Sequence, residues 1–289
     1  MKAKVLFILA AAIAVPFNVF AKDSNSEGSG VVSDRDIANQ RANLKRNTTE
    51  KGTGPQAPRD IDSAAGSNTV SFGMAPVRTE MNLCNIHFHN NAEHKGGEFT
   101  KYAGNGDGYG YESGFKYSGN LSKSELAPLS HGVCLSKHGG LQSGDTIEVH
   151  YVYSSAQVKP GPTLGACLND ATKNPQLRVE AQVFVLVNDS AALDFAKLSA
   201  HGEIDGYQQA LGLIGNTGEP IQYSGSTTGP GYNEQGSPFQ VTWSVRPKVA
   251  KVNIASVGKW CEGNVFNEDH AHGVRNLVNN PKLLSKIKR

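Results

Sequence analysis

Two runs of alternating residues organise the chain. Between residues 83 and 89, Asn85, His87 and His89 alternate with Cys84, Ile86 and Phe88. A strand sends successive side chains to opposite faces, so this run predicts a strand with one histidine-bearing face and one apolar face. Between 146 and 153, Glu148, His150 and Val152 share a face in the same way. Residues 177–187 alternate at first and then become apolar throughout, which predicts a central strand covered on both sides. Shorter strand-like runs lie at 69–72, 241–245 and 249–254; all are rich in β-branched and aromatic residues and are set apart by Gly, Pro and Asn. Short helices are expected at 190–198 and near 276–288, and a polar helix at 34–46. Residues 104–119 read as a long exposed Gly/Tyr loop, and its Asn105, Asp107 and Glu112 lack EF-hand spacing. There is no internal repeat, and the connections are too short and irregular for a βαβ series. The expected fold is therefore mainly β, a twisted and largely antiparallel central sheet with short peripheral helices.

The beginning of the chain changes the picture. Residues 1–21 join a basic start (Lys2, Lys4) to an apolar run over 5–15 and a small-residue cleavage pattern ending at Ala21. That is the form of a signal peptide, with a retained anchor as the plain alternative, although the run is short for a membrane span. Export to the periplasm or beyond the cell is expected, with no membrane attachment after cleavage. Residues 22–50 read as a polar arm, mobile or loosely docked, and 51–289 as the globular body. The formal charge of +2 drops to 0 once Lys2 and Lys4 are removed. That balance gives no argument for a nucleic-acid partner or an anionic membrane surface. The oligomeric state is left open, with a homo-oligomer among the options.

Four cysteines, Cys84, Cys134, Cys167 and Cys261, form no Cys-x-x-Cys pair. An even number in an exported chain suggests two disulfides rather than a thiolate metal site. Cys134 and Cys167 flank the His150 segment, which favours pairing them and leaves Cys84 with Cys261.

The candidate chemistry lies on the histidine faces. His87 and His89 on one strand, with His150 from another, supply three neutral imidazoles. Such a set leaves one open position on a tetrahedral zinc, the arrangement of a catalytic site. A lone His-x-His pair is a weak signal, and its ordinary reading is two strand histidines. The case grows with the residues two positions earlier. Asn85 can take the other ring N–H of His87, and Glu148 can do the same for His150, as partners of metal-bound histidines do. Glu93 reads either as a solvated acid in a turn or as one folded back toward the metal, and His94 as a supporting or structural histidine.

These residues resemble the carbonic anhydrases, specifically the delta-class or carbonic-anhydrase-like family, with the core pattern of the alpha class. Asn85-Ile86-His87-Phe88-His89 followed by Ala92-Glu93-His94 is similar to that family's paired-ligand strand, and Glu148-Val149-His150 to its third-ligand strand. Gln56-Ala57-Pro58-Arg59-Asp60-Ile61 resembles its Gln-Ser-Pro-x-Asp-Ile opening segment. Tyr223 to Pro230 resembles its Tyr-Pro-Gly-Ser-Leu-Thr-Thr-Pro loop, and Val241-Thr242-Trp243 the Val-Thr-Trp strand beyond it. Residues 183–187 fall where the family has a central apolar strand, and the matches run in the family's order from 54 to about 245.

The resemblance implies a lyase that reversibly hydrates CO2 to bicarbonate and a proton through zinc-bound hydroxide. His87, His89 and His150 would bind Zn2+. Thr228 would accept a hydrogen bond from the hydroxide and pass its own proton to Glu93, while Val152, Thr227 and Trp243 would wall the CO2 pocket. Thr227 stands where the family has an apolar residue, and Gly229 where it has a second Thr. No histidine precedes His87, so the alpha-class shuttle has no counterpart upstream; His94, His131, His138, His270 and His272 remain as candidates. The rival readings are a non-catalytic zinc- or ligand-binding protein on the same fold, a zinc-storage or delivery protein, and a zinc hydrolase. The last lacks both His-Glu-x-x-His and a serine nucleophile elbow.

Overall fold

The computed structural model describes residues 31–63, 65–226, 232–237 and 239–287. The signal peptide expected at 1–21, the start of the polar arm, and Thr227 and Thr228 lie outside the described residues. In chain order the strands are Asn82–Asn90 (β1), Lys101–Asn105 (β2), Ser113–Lys116 (β3), Val133–Ser136 (β4), Gly139–Leu141 (β5) and Thr146–Ser154 (β6). They continue with Leu177–Val187 (β7), His201–Ile204 (β8), Tyr207–Ala210 (β9), Ile221–Gly225 (β10), Val241–Val245 (β11) and Ala250–Asn253 (β12). The α-helices are Asp34–Thr48 (α1), Phe195–Leu198 (α2) and Ile254–Cys261 (α3).

The fold is mainly β, and its centre is a six-stranded mixed sheet in the order β1-β6-β7-β11-β10, with β12 also pairing β7. The β1–β6, β6–β7 and β10–β11 pairings are antiparallel, as the alternation suggested. Two parallel pairings were not expected: β7 lies beside β11 along 177–181 and beside β12 along 184–187. β7 is buried along its whole length, which is what its late run of apolar residues requires of a strand covered on both faces. One face holds Ile86, Phe88, Val149, Tyr151, Phe184 and Leu186 against Phe195 of α2 and Trp260 of α3. The other holds Val152, Val179, Ala181, Val183, Tyr223 and Trp243, and it is the face that carries the histidines.

A β-bulge in β1 alters one sequence reading. The register runs Leu83↔Tyr153 and then Asn85↔Val152, so Cys84 is the extra, unpaired residue. Its side chain joins the cluster on the histidine side instead of pointing away with Ile86 and Phe88. There it bonds Cys167 at the end of the 3-10 turn Leu164–Cys167, while Cys134 on β4 bonds Cys261 at the end of α3. The expected pairs, Cys134 with Cys167 and Cys84 with Cys261, are therefore wrong. Nearness in sequence to the His150 strand misled, because β4 packs beneath α3, on the opposite side of the sheet from Cys167.

Other elements differ in instructive ways. Residues 69–72 form no strand. The residues just after them are held on the sheet by side chains: Thr242 Oγ1 accepts from Ala75 N at 2.7 Å, and Gly73 O accepts from Ser224 Oγ and Gln240 Nε2. The Gly/Tyr loop holds the β2–β3 hairpin. Residues 221–225, of which 223–225 were read as part of a loop, are a strand in which Tyr223 pairs with Trp243. Among the described residues near the C-terminus, only Pro281–Leu283 makes a helical turn. The described part of the polar arm is a docked helix: Ser33 and Asp36 form a capping box at its start, and Leu44 packs on Val278, Leu283 and Leu284.

Both disulfides close long loops, spanning 83 and 127 positions. Loop entropy puts an upper contribution of roughly 4–5 kcal/mol on each. Peptide mapping without reduction should recover Cys84 linked to Cys167 and Cys134 linked to Cys261. Replacing Cys84 and Cys167 together by Ser should lower the urea-unfolding free energy by about 2–5 kcal/mol; a shift within experimental error would contradict this.

Candidate metal centre

Strand register places the three histidines. His87 on β1 lies directly across from His150 on β6, and His89 lies across from Glu148. The spacing of two along β1 and the cross-strand pairing bring the rings onto one patch: centroids are 5.3 Å apart for His87–His89, 5.1 Å for His87–His150 and 4.6 Å for His89–His150. One ring nitrogen from each lies within 4.8 Å of the others. Two nitrogens on one tetrahedral zinc are about 3.3 Å apart, so small ring rotations bring these three into range. The set predicted from sequence converges.

The rings are held from behind. Asn85 Oδ1 lies 2.7 Å from His87 Nδ1, and the Asn85 amide is itself fixed by donating to Gly161 O at 3.1 Å. An amide oxygen only accepts, so His87 Nδ1 carries the proton and Nε2 keeps its lone pair for a metal. Glu148 Oε1 lies 3.3 Å from His150 Nε2. The same carboxylate does more than the sequence suggested. Its Oε2 accepts from the backbone N–H of Glu93 at 2.6 Å and of His94 at 3.1 Å, and Oε1 takes the His94 Nδ1 bond at 2.5 Å. Burial alone would raise this carboxyl, but His94 and His150 overcome that and hold it well below the ordinary carboxylate range.

His94 is therefore structural. It is fully buried and bridges Glu148 to the Tyr223 hydroxyl, which is 2.6 Å from its Nε2. Burial pushes the Tyr223 hydroxyl well above its usual pKa, so Tyr223 keeps its proton. Tyr223 escaped the sequence reading as a partner because β10 was read as a loop. Burial first, and then the neighbouring imidazoles, push His87 and His89 well below the ordinary histidine value. Both are thereby kept neutral, the form that binds a metal.

Glu93 is buried, with Oε2 3.9 Å from His89 Nδ1. Its Oε1 receives Arg59 Nη1 at 2.7 Å and has Arg275 Nη1 at 3.9 Å. Burial would raise the Glu93 carboxyl, but Arg59, then Arg275, bring it below its usual value. Arg59 sits at the open position of the opening segment and gave no signal from sequence. Val152 and Trp243 lie in the apolar cluster on the site face, with the Trp243 ring 5.4 Å from His150. Thr227 and Thr228 are outside the described residues.

Of the remaining histidines, His272 comes nearest. The C-terminal segment runs beside β1: His272 N donates to Phe88 O at 2.9 Å, and Asn90 N donates to His272 O at 2.8 Å. This sets the half-exposed His272 ring 5.7 Å from His87, with its Nε2 2.6 Å from Glu268. His270 follows on the outside, while His138 stacks on Tyr111 and His131 lies exposed on a loop. A segment returning 180 residues later leaves no periodic trace in the sequence.

The donor set fits zinc on the structure's own terms. The three nitrogens of His87, His89 and His150 converge, His150 also belongs to a second cluster with His94 and Glu148, and all four cysteines are used in disulfides. Comparisons with known proteins bear on what such a site belongs to. No curated protein matches the chain. Among solved structures, an alpha-carbonic anhydrase from Thermovibrio ammonificans, in complex with the inhibitor sulfanilamide, is 17% identical over 77% of this chain and 84% of its own, with a TM-score of 0.27. A hyperthermostable carbonic anhydrase from a hydrothermal vent chimney is 17% identical over 82% and 90%, TM-score 0.27. A Photobacterium profundum alpha-carbonic anhydrase is 15% identical over 82% and 93%, again with a TM-score of 0.27. Likenesses at that score carry no argument here. The family model described as delta carbonic anhydrase matches residues 78–256, a span that takes in β1, β6, β7, β10 and β11 with all three histidines. The chain belongs to the delta carbonic anhydrase family.

Proposed function

We propose that the protein reversibly hydrates CO2 to bicarbonate and a proton, using one zinc ion held by His87, His89 and His150. The observation that carries this reading is the convergence of three imidazole nitrogens from two strands in fixed register, within a chain of the carbonic anhydrase family. Zinc, when bound, lowers the pKa of a water ligand to about 7 and so supplies the nucleophile at neutral pH.

The chain's own residues supply the rest. Asn85 holds the His87 ring by a hydrogen bond, and the Glu148 carboxylate stands beside the His150 ring, 3.3 Å from its Nε2. CO2 is apolar and uncharged, so it calls for a greasy wall rather than charged clamps, and Val152 and Trp243 offer one on the site face. Glu93, buried and held below its usual pKa by Arg59 and Arg275, would serve as the acceptor that the family pattern assigns to the Thr228 hydroxyl, and a hydroxyl so committed would accept from the nucleophile. The two disulfides suit an oxidising compartment, and we place the protein in the periplasm or outside the cell.

The test is stopped-flow CO2 hydration by the purified protein, before and after chelation and after zinc is returned. The expected result is activity that disappears with the metal and comes back with it; a metal-replete protein that does not hydrate CO2 would sink the reading. Losing an outer partner of a metal site typically costs about 10–100-fold in affinity or activity, and losing a ligand should cost more. His150→Ala should therefore fall by about 100-fold or more in both zinc affinity and kcat/KM, with zinc measured by competition against a chromogenic chelator. An unchanged zinc affinity in that variant would remove His150 from the site.

A further inference from the structure

The buried ion pair between Arg59 and Glu93 has no place in the chemistry assigned above. Arg59 is 2% exposed, as is Glu93. Its backbone is held in the left-handed region, φ 53°, at the centre of a tight turn in which Asp60 N donates to Pro58 O at 2.6 Å. A non-glycine residue there is uncommon and strained. The turn is pinned to the segment leaving β1: Lys95 N donates to Arg59 O at 2.9 Å, Ile61 N donates to Lys95 O at 2.8 Å, and Lys95 Nζ meets Asp60 Oδ2 at 2.9 Å. The guanidinium is caged as well. Besides Glu93 Oε1, it donates to the backbone oxygens of Arg275, at 3.0 Å, and Asn276.

A buried ion pair is a poor way to gain stability, since apolar residues of similar volume often do as well or better. What the planar guanidinium offers is orientation: a rigid fork tied to two carbonyls fixes the position of the carboxylate oxygen it grips, which an ammonium on a flexible stem does not. Glu93 is gripped from the other end too, through its backbone N–H on Glu148. With Oε1 engaged by Arg59, the remaining oxygen, Oε2, is the one that faces His89 Nδ1.

We infer that Arg59 is a positioning residue for the hydration reaction: it occupies one oxygen of Glu93 and commits the other to the metal side of the site. This rests on the functional reading above, in which Glu93 accepts the Thr228 hydroxyl. Arg59 touches neither substrate nor metal and acts through Glu93 alone. In the same way, the carbonyls of Arg275 and Asn276 make the C-terminal segment part of the frame that sets Glu93.

The inference is tested by a double-mutant cycle in the zinc-loaded full-length protein: unaltered, Arg59→Met, Glu93→Gln, and both changes together. Zinc content, melting temperature, kcat and KM are measured for each. Arg59→Met should lower kcat and kcat/KM together by about 10–100-fold with KM unchanged, the mark of an interaction lost only in the transition state. If Arg59 works through Glu93, the double variant should match Glu93→Gln within about twofold. Should Arg59→Met fail to fold because it strands a buried carboxylate, the comparison of Glu93→Gln with the double variant still decides, since neither holds that unpaired carboxylate. Multiplying losses, with zinc retained, would overturn the role given to Arg59 while leaving the functional reading intact. An unaltered protein that holds zinc but does not hydrate CO2 would instead overturn the functional reading and the Arg59 role with it.

Discussion

The β1–β6 register is the constraint on which the site depends. His87 faces His150 across the ladder, and two residues along β1 bring His89 to the same face. The side-chain period of a strand is two, so a slip of one residue would carry either the β1 pair or His150 to the opposite face. The slip is forbidden by the apolar residues between the ligands. Ile86 and Phe88 on one strand and Val149 and Tyr151 on the other are fully buried on the far side, and a slip would drive them into the polar site. The core that stabilises the sheet is thus also what fixes the geometry of the three histidines. The bulge at Cys84 lies before Asn85, where it adjusts the strand for the disulfide without disturbing the alternation from Asn85 to His89.

A second layer of order comes from a single carboxylate. Glu148 is fully buried, an expensive place for a charge, yet its two oxygens meet two backbone N–H groups, the His94 ring and the edge of His150. Because Glu148 sits opposite His89 and two residues before His150, it ties both ligand strands to the turn that carries Glu93 and His94. The chain continues through His94 to Tyr223 on β10. One hydrogen-bonded path therefore crosses from the third-ligand strand to the far edge strand, and a partly satisfied version of it would be worse than an apolar core. This is a physical reason for the ligands, Glu93 and Tyr223 to be fixed as one unit.

The sequence made legible the parts of this arrangement that follow from local periodicity. Alternation located β1, β6, β7 and β11 nearly to the residue, and with them the three ligands and their partners Asn85 and Glu148. What escaped were relations between segments far apart in the chain. The Cys84–Cys167 bond depends on an irregular residue in a strand that otherwise alternates cleanly. β10 was masked by Gly225 and the loop beyond it, although Tyr223 pairs with Trp243 in regular register. Residues 69–72 have the composition of a strand but find no ladder partner; it is Gly73 and Ala75, just beyond them, that side chains of β10 and β11 hold. Arg59 is the sharpest case. Between Pro58 and Asp60 a basic residue looks like an ordinary exposed turn position, and only the three-dimensional meeting of that turn, the exit of β1 and the C-terminal segment makes it a buried charge.

These escaped relations share one location. The sheet holds its ligands rigidly through ladder hydrogen bonds, but a flat array of strands cannot surround a site, so the open side must be built from irregular chain. Here that side is built by the opening turn at Arg59, the segment leaving β1 at Glu93–Lys95, and the C-terminal run from Glu268 to Asn276, whose backbone adds beside β1 at His272. Irregular segments lack a ladder to satisfy their backbone groups, and those groups must be satisfied when buried. The guanidinium of Arg59 meets that need for the carbonyls of Arg275 and Asn276 while gripping Glu93. α1 reinforces the same run from outside, where Arg41 donates to Leu277 O and Gln40 accepts from the Asn276 amide. The polar helix at the start of the described chain thereby belongs to the support of the site: it holds in place the C-terminal carbonyls that complete the cage around Arg59, and through Arg59 it bears on the orientation of Glu93.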